Sequence, residues 1–288
     1  MSIGQSELIL NADGSVYHLN LLPEDIAPTV IVVGDPDRVE KVSGYFDHID
    51  TKKQKREFLT HTGTYKGKRI TVIGTGIGTD NIDIVLNELD ALVNIDLPSR
   101  GIKEEKTSLD IIRIGTSGSI QDDIPVDTFV VSKFAIGFDG LLHFYEHEGE
   151  DISALTSHLK KYMGWGNHYI QPYSFASDAQ LLKKMSSNRI RFGITLTNSG
   201  FYGPQGRKLR LSNTLETIHD SLANFEFENA KITNLEMETA AIYGLAKLLG
   251  HRAISLNAIL ANRPSKSFSK HPAKTVDTLI RYCLERLS

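Results

Sequence analysis

The sequence predicts an α/β fold wound around a mostly parallel or mixed sheet. Three observations carry that prediction: short apolar runs rich in β-branched residues, closure of most of them by glycine or small polar residues, and helical patterns between them. The first run is Thr29–Val33, closed by Gly34; Arg69–Ile73 ends on Gly74, and Asp110–Ile114 ends on Gly115. Thr128–Ser132 follows, Ile190–Thr197 is closed by Asn198, Ser199 and Gly200, and Ala253–Ala261 is the last. Runs this apolar read as strands buried on both faces. Among the helical patterns, Ile82–Val93 places Ile82, Val85, Leu86, Leu89 and Leu92 on one face. Glu236–Leu249 is rich in Ala and Leu and stops at Gly250, a helix terminator. Thr275–Leu287 repeats the helical period through Val276, Leu279, Ile280, Cys283, Leu284 and Leu287.

No repeat, low-complexity tract or Pro/Gly/Ser-rich linker divides the chain, so residues 1–288 read as one domain, with Pro98–Lys106 a polar surface excursion. A hydrophobic content of 40% supports a sizeable core. A net charge of −3 gives neither a basic footprint for nucleic acid nor a polybasic membrane anchor. Cys283 is the only cysteine, which excludes an internal disulfide and reads as a packed core thiol. No basic region with a long apolar run opens the chain, and no stretch approaches a membrane span, so a cytoplasmic protein is expected.

In such sheets ligands bind where strands end and helices begin, and the unusual segments cluster at those places. Gly34-Asp35-Pro36-Asp37-Arg38-Val39 follows a buried strand; it is a tight turn with a surface arginine, or an anion site of glycine backbone, helix start and the Arg38 fork. Gly74-Thr75-Gly76-Ile77-Gly78 lacks dinucleotide spacing but suits a small anion or ribose, with Asp80 or Asn81 as helix cap. Arg113 lies inside an apolar strand, where it needs an internal carboxylate or an anionic ligand; Thr116 and the Gly115 and Gly118 backbone add donors at the strand's end. Phe201-Tyr202-Gly203-Pro204-Gln205-Gly206-Arg207 is an ordinary turn or a base-binding loop. In the second case Gln205 suits the alternating C=O and N–H edge of uracil, Arg207 a carbonyl oxygen, and Phe201 stacking. Glu236 and Glu238 flank Met237 at a helix start, where one carboxylate is accounted for by capping and the other suits ribose hydroxyls. His143, Glu146, His147 and Glu148 read as a solvated loop rather than a metal site, and Trp165 as core or lid.

Six motifs in order, GDPDRV, REF at Arg56–Phe58, IIRIGTSGSI, FYGPQGR, NLEMETAA and ANR at Ala261–Arg263, resemble the nucleoside phosphorylase family, specifically its uridine phosphorylases. The resemblance implies a three-layer α/β/α domain with a central mixed sheet, and phosphorolysis of a pyrimidine nucleoside without metal or organic cofactor, inorganic phosphate being a co-substrate. It implies a phosphate site of Gly34, Arg38, Arg113 and Thr116. Ribose would be held by Met237 and Glu238, and the base by Phe201, Gln205 and Arg207, with Arg263 in support. It also implies a homo-oligomer whose neighbouring subunit supplies Arg56 to the phosphate and His18 to the 5′-hydroxyl. Thr79-Asp80-Asn81 departs from the family's Pro-Ser at the end of the glycine loop. Purine phosphorylases of this fold resemble the chain less, because an acid stands where this chain has Asn262. A nucleosidase would need no arginine cage, and a non-catalytic nucleoside-binding protein is the alternative of another class.

Overall fold

The computed structural model describes residues 2–147, 149–166, 168–214 and 218–288. Its first half runs β1 (Thr29–Val33), α1 (Pro36–Ser43), β2 (His48–Lys55), β3 (Phe58–Tyr65), β4 (Lys68–Gly74), α2 (Thr79–Asn94), β5 (Ile95–Asp96), β6 (Gly101–Ile102), β7 (Asp110–Ser119) and β8 (Phe129–Gly137). Then come α3 (Ser153–Met163), β9 (Tyr173–Ala176), α4 (Ala179–Met185), β10 (Ile190–Thr197), α5 (Ile218–Ala223), β11 (Glu226–Phe227) and β12 (Ala230–Glu236). The chain closes with α6 (Thr239–Leu249), β13 (Arg252–Asn262), β14 (Ser267–Phe268) and α7 (Pro272–Leu287).

The layers follow from strand alternation. Val30 and Val32 of β1 pack with Leu86 and Leu89 of α2 and Tyr243 of α6, whereas Ile31 and Val33 pack with Val39 of α1 and with Leu279 and Cys283 of α7. Side chains that alternate between two apolar layers require a strand covered on both faces. The result is a mixed sheet between helices. Cys283 is a fully buried core thiol, and Trp165 is also core, its ring stacked on His168 at 4.3 Å.

Among the described residues twelve strands form one sheet in the order β11-β12-β10-β8-β13-β7-β1-β4-β3-β2, with β9 and β14 pairing outside this path. The pairs β1–β4, β1–β7, β7–β13, β8–β10 and β10–β12 are parallel. β12 also pairs antiparallel with β7, through Asn234 opposite Ser119 and Leu235 opposite Gly118, so five strands close into a ring.

That closure corrects two expectations. β7 does not stop at Ile114; Gly115–Ser119 continue it because β13 and β12 both supply ladder partners there. The last helix before β13 does not begin at Glu236. Asn234, Leu235 and Glu236 pair in parallel with Thr195, Leu196 and Thr197 of β10, and the helix starts at Thr239. The lysine-rich β2, absent from the apolar pattern, is the polar edge strand of a β2–β3 hairpin. Pro98–Lys106 carries the short β6, which pairs back onto β5. No helix among the described residues is long and apolar enough to cross a membrane.

Candidate active site

The site is built around Arg113. In β7, Ile112 and Ile114 face the α7 layer, so alternation turns Arg113 toward the face on which α6 begins. There its Nη2 donates to Glu238 Oε2 at 2.6 Å and lies 3.0 Å from Glu236 Oε2, while Nη1 donates to Asn257 Oδ1 at 2.8 Å. The internal carboxylates that a buried arginine demands are therefore present. Burial alone would lower the Arg113 pKa, but Glu236 and then Glu238 outweigh it and the net direction is upward. Gly115 makes the geometry possible: a Cβ there would lie 1.9 Å from Arg113 Nη1.

The two glutamates separate cleanly. Glu236 accepts from the backbone N–H groups of Glu238 and Thr239 and from the hydroxyls of Thr197 and Thr239. It thus satisfies the orphan donors at the start of α6. Burial holds its carboxyl above the ordinary carboxylate range, against the pull of Arg113. Glu238 reaches the other way, its Oε1 accepting from the Gly78 N–H at 2.8 Å. Gly78 itself is the N-terminal cap residue of α2, at φ 102°, and no side chain caps that helix. The expectation of Asp80 or Asn81 as cap fails because the helix starts one residue before Asp80, at Thr79.

Arg38, in the first turn of α1, is 9% exposed and donates from Nη1 to the carbonyl of Ile114 at 3.1 Å. Burial pulls its guanidinium below the ordinary value, Asp35 pulls it back, and the charge of Arg113 adds to the lowering. Asp35 caps α1 by accepting from the Asp37 N–H.

The loop leaving β10 carries the remaining groups. Gln205 is 3% exposed, and its side-chain oxygen accepts from Arg207 Nη1 at 2.6 Å. Arg207 also donates to the carbonyl of Phe201 and lies over the Phe201 ring, 3.6 Å from the centroid. One face of that ring is therefore already covered by the guanidinium. Burial, then the like charge of Arg263, brings the Arg207 pKa down to about 10, which leaves it cationic at neutral pH. Arg263 donates to the backbone carbonyl of Gln205 at 2.8 Å.

A cavity of about 330 Å³ joins these pieces, a size suited to a small molecule. Its lining includes Gly34, Arg38, Arg113, Thr116, Phe201, Gln205, Arg207, Met237 and Glu238. Arg263 stands behind the Gln205 loop rather than in the lining. His18 and Arg56 also lie outside the lining, yet close to one another. The His18 ring meets Tyr17 at 4.9 Å, and Arg56 sits 5.8 Å from the same Tyr17 ring. Glu88 of α2 fixes this segment by accepting from the backbone N–H groups of His18 and Leu19 and by meeting His18 Nδ1 at 2.6 Å.

Some of the site was missed in the sequence. Ser255 and Asn257 alternate in apolar β13, a visible sign of an inward polar face, and both meet Arg113. Leu260 and Phe268, which no motif contained, join Ile77 of the glycine loop in an apolar rim. Asn262 is turned away from the cavity: its Nδ2 donates to the carbonyls of Gln121 and Ile124, and its Oδ1 accepts twice from Ser265. His143 meets the carbonyl of Gln171, and no group of three metal-binding side chains occurs among the described residues; Glu148 lies outside them.

Comparison with known proteins places the chain in a family. Residues 28–283 match the phosphorylase superfamily. The chain is 31% identical over 261 residues to a uridine phosphorylase of Thermococcus kodakarensis, covering 90% of this chain and 81% of that protein. It is 28% identical over 240 residues to a DeoD-type purine nucleoside phosphorylase of Listeria monocytogenes, covering 83% of this chain and 84% of that one. A crystal structure of a Trypanosoma brucei nucleoside phosphorylase, described as showing uridine phosphorylase activity, superposes with a TM-score of 0.87 at 29% identity. That superposition spans 97% of this chain and 99% of the other.

Proposed function

The chain belongs to the phosphorylase superfamily, and from that premise we propose that it cleaves uridine with inorganic phosphate, giving uracil and ribose 1-phosphate. One conjunction carries the proposal. A single cavity brings Arg38, Arg113 and Thr116, suited to an oxyanion, together with Glu238, suited to sugar hydroxyls, and Gln205 and Arg207, suited to an imide edge.

In this mechanism Gly34, Arg38, Arg113 and Thr116 hold the phosphate dianion and orient one oxygen toward the anomeric carbon. Met237 lies against the sugar. Each Glu238 oxygen already accepts one bond, from Gly78 or from Arg113, and a carboxylate oxygen has a further lone pair for a ribose hydroxyl. As the C1′–N1 bond breaks, its electron pair passes to the base. Gln205 and Arg207 stabilise the charge that develops on the uracil carbonyls, and Phe201 lies beside the ring. Arg113 serves both substrates, holding Glu238 in place while adding positive charge where phosphate binds. The arginines supply the electrostatics, so the mechanism uses no metal or organic cofactor.

We infer further that the working unit is a homo-oligomer, in which His18 of the partner subunit meets the 5′-hydroxyl and Arg56 of the partner subunit meets phosphate. Their shared surface cluster, outside their own cavity, supports that reading. The full lone-pair and donor occupancy of Asn262, an amide with no proton to give a purine, favours the pyrimidine.

The test is a phosphate-dependence assay. Uridine with phosphate is expected to yield uracil and ribose 1-phosphate, and uridine alone nothing. Uracil release without phosphate would make the chain a hydrolase, and no release under either condition would make it a binding protein.

A further inference from the structure

Behind the Gln205 turn sits a residue that no motif contains. His219, near the start of α5, brings its Nε2 within 2.6 Å of the Gln205 backbone carbonyl, the same oxygen that accepts from Arg263 Nη2 at 2.8 Å. A carbonyl has two lone pairs and no proton, so both are occupied and His219 must carry its proton on Nε2. Its Nδ1 is buried with no hydrogen-bond partner among the described residues. Protonating that nitrogen would place another cation beside Arg263 and Arg207, which among the described residues the Gln205 carbonyl and then Asp220 offset only in part. Burial first, then Arg263, accordingly holds the His219 pKa below its ordinary value, which keeps the ring neutral.

The packing is as tight as the bonding. Gly206 follows the turn at φ +65°, and a Cβ there would lie 2.4 Å from His219 Nε2. The imidazole thus fills the space that any side chain at position 206 would need. The backbone of the loop is clamped from behind while the Gln205 and Arg207 side chains face the cavity.

We propose that His219 is a positioning residue for base selection: its neutral Nε2–H donor, together with Arg263, fixes the Gln205 carbonyl and so aims the Gln205 amide and Arg207 at the base. The role rests on the uridine reading and deepens it. His219 touches neither the cavity nor the reacting atoms. Its loss therefore acts on the nucleoside and leaves phosphate alone.

The experiment varies uridine and phosphate independently with the full chain, comparing wild type, His219→Phe, His219→Gln and Gly206→Ala. His219→Phe keeps a flat ring and removes the donor; it is expected to raise the uridine KM about tenfold, the effect of roughly one hydrogen bond, with the phosphate KM within about twofold. His219→Gln, which restores an N–H donor, is expected to recover most of the loss. Gly206→Ala, which pushes the ring away, is expected to give the same split should His219→Phe fail to fold. An unchanged uridine KM in a folded His219→Phe, a parallel rise in both KM values, or no recovery in His219→Gln would overturn the role of His219 while wild-type uridine turnover stands. A wild-type protein that releases no uracil from uridine would overturn the reaction itself, and this role with it.

Discussion

The two halves of the cavity are held in opposite ways. The phosphate and sugar half is made of charges fixed by regular structure, Arg113 within β7, Glu236 at the end of β12 and Glu238 at the start of α6, buried and bonded to one another and to Gly78, Asn257 and Thr239. The base half is a loop, Phe201–Arg207, whose groups bond mostly within the loop and whose backbone is braced from outside by His219 and Arg263. Phe201 is 51% exposed, against 6% for Arg113. The contrast teaches that the anion and sugar half is part of the core, so its changes cost stability and activity together. The base half is separable, and its changes cost selectivity.

The largest effect is therefore expected from Arg113→Met. It leaves two carboxylates buried without their cation, which costs about 3–5 kcal/mol of stability. For a chain of this size that is a fall in Tm of roughly 5–8 °C, readable by calorimetry, with phosphorolysis lost at the same time. Full stability with lost activity would dissolve the contrast from one side.

Next comes Arg207→Ala, the mirror case. Removing a donor that meets developing charge is expected to cost about 2.7–4 kcal/mol of transition-state stabilisation, or roughly 10²–10³ in kcat/KM for uridine. The phosphate KM and the melting temperature should hardly move. Equal damage to both substrates would remove the distinction.

Gly115→Ala probes the first half without removing a charge. Its methyl meets Arg113 Nη1, and overpacking of this kind costs about 1–3 kcal/mol. Phosphate and nucleoside KM are expected to rise in step, as befits a guanidinium shared between them. A rise confined to one substrate would show that the two sites are not coupled through Arg113.

The smallest effect is a control at the N-terminal end of β8. Hydrogen bonds from Ser269 and then Thr275 hold the Asp127 carboxyl below its ordinary value of 3.8. A carboxyl lowered in the folded state contributes stability above that ordinary value, and the contribution fades as pH falls through the lowered one. Asp127 has φ +69°, which asparagine tolerates. Asp127→Asn should therefore cost about 1 kcal/mol at neutral pH, flatten the acid limb of the stability curve, and leave both KM values alone.

The same contrast explains what was legible in the sequence. Arg113 stands out in an apolar run because a charge there must have a partner, and the pair around Met237 stands out for the same reason. The strands of β1 and β10 are readable to the residue, since burial runs through all of β1 and through Gly193–Thr197 of β10. The roles of the two glutamates are not readable. They depend on where β12 ends, and that is decided by pairing with β10, where Thr197 lies opposite Glu236. The partner of Glu238 at Gly78 is equally remote in the chain. His219 leaves no local signal at all, because a histidine in a short helix becomes meaningful only when a distant turn packs on it. His18 and Arg56 were reached by resemblance alone, and both lie outside the lining of their own cavity.

The most direct test of the account compares uridine and inosine as substrates for the wild-type chain at saturating phosphate. A loop that meets an imide edge, with Asn262 turned away, predicts a kcat/KM for uridine at least about 10²-fold above that for inosine, and a ratio that collapses in Arg207→Ala. Inosine turnover equal to or faster than that of uridine would contradict it.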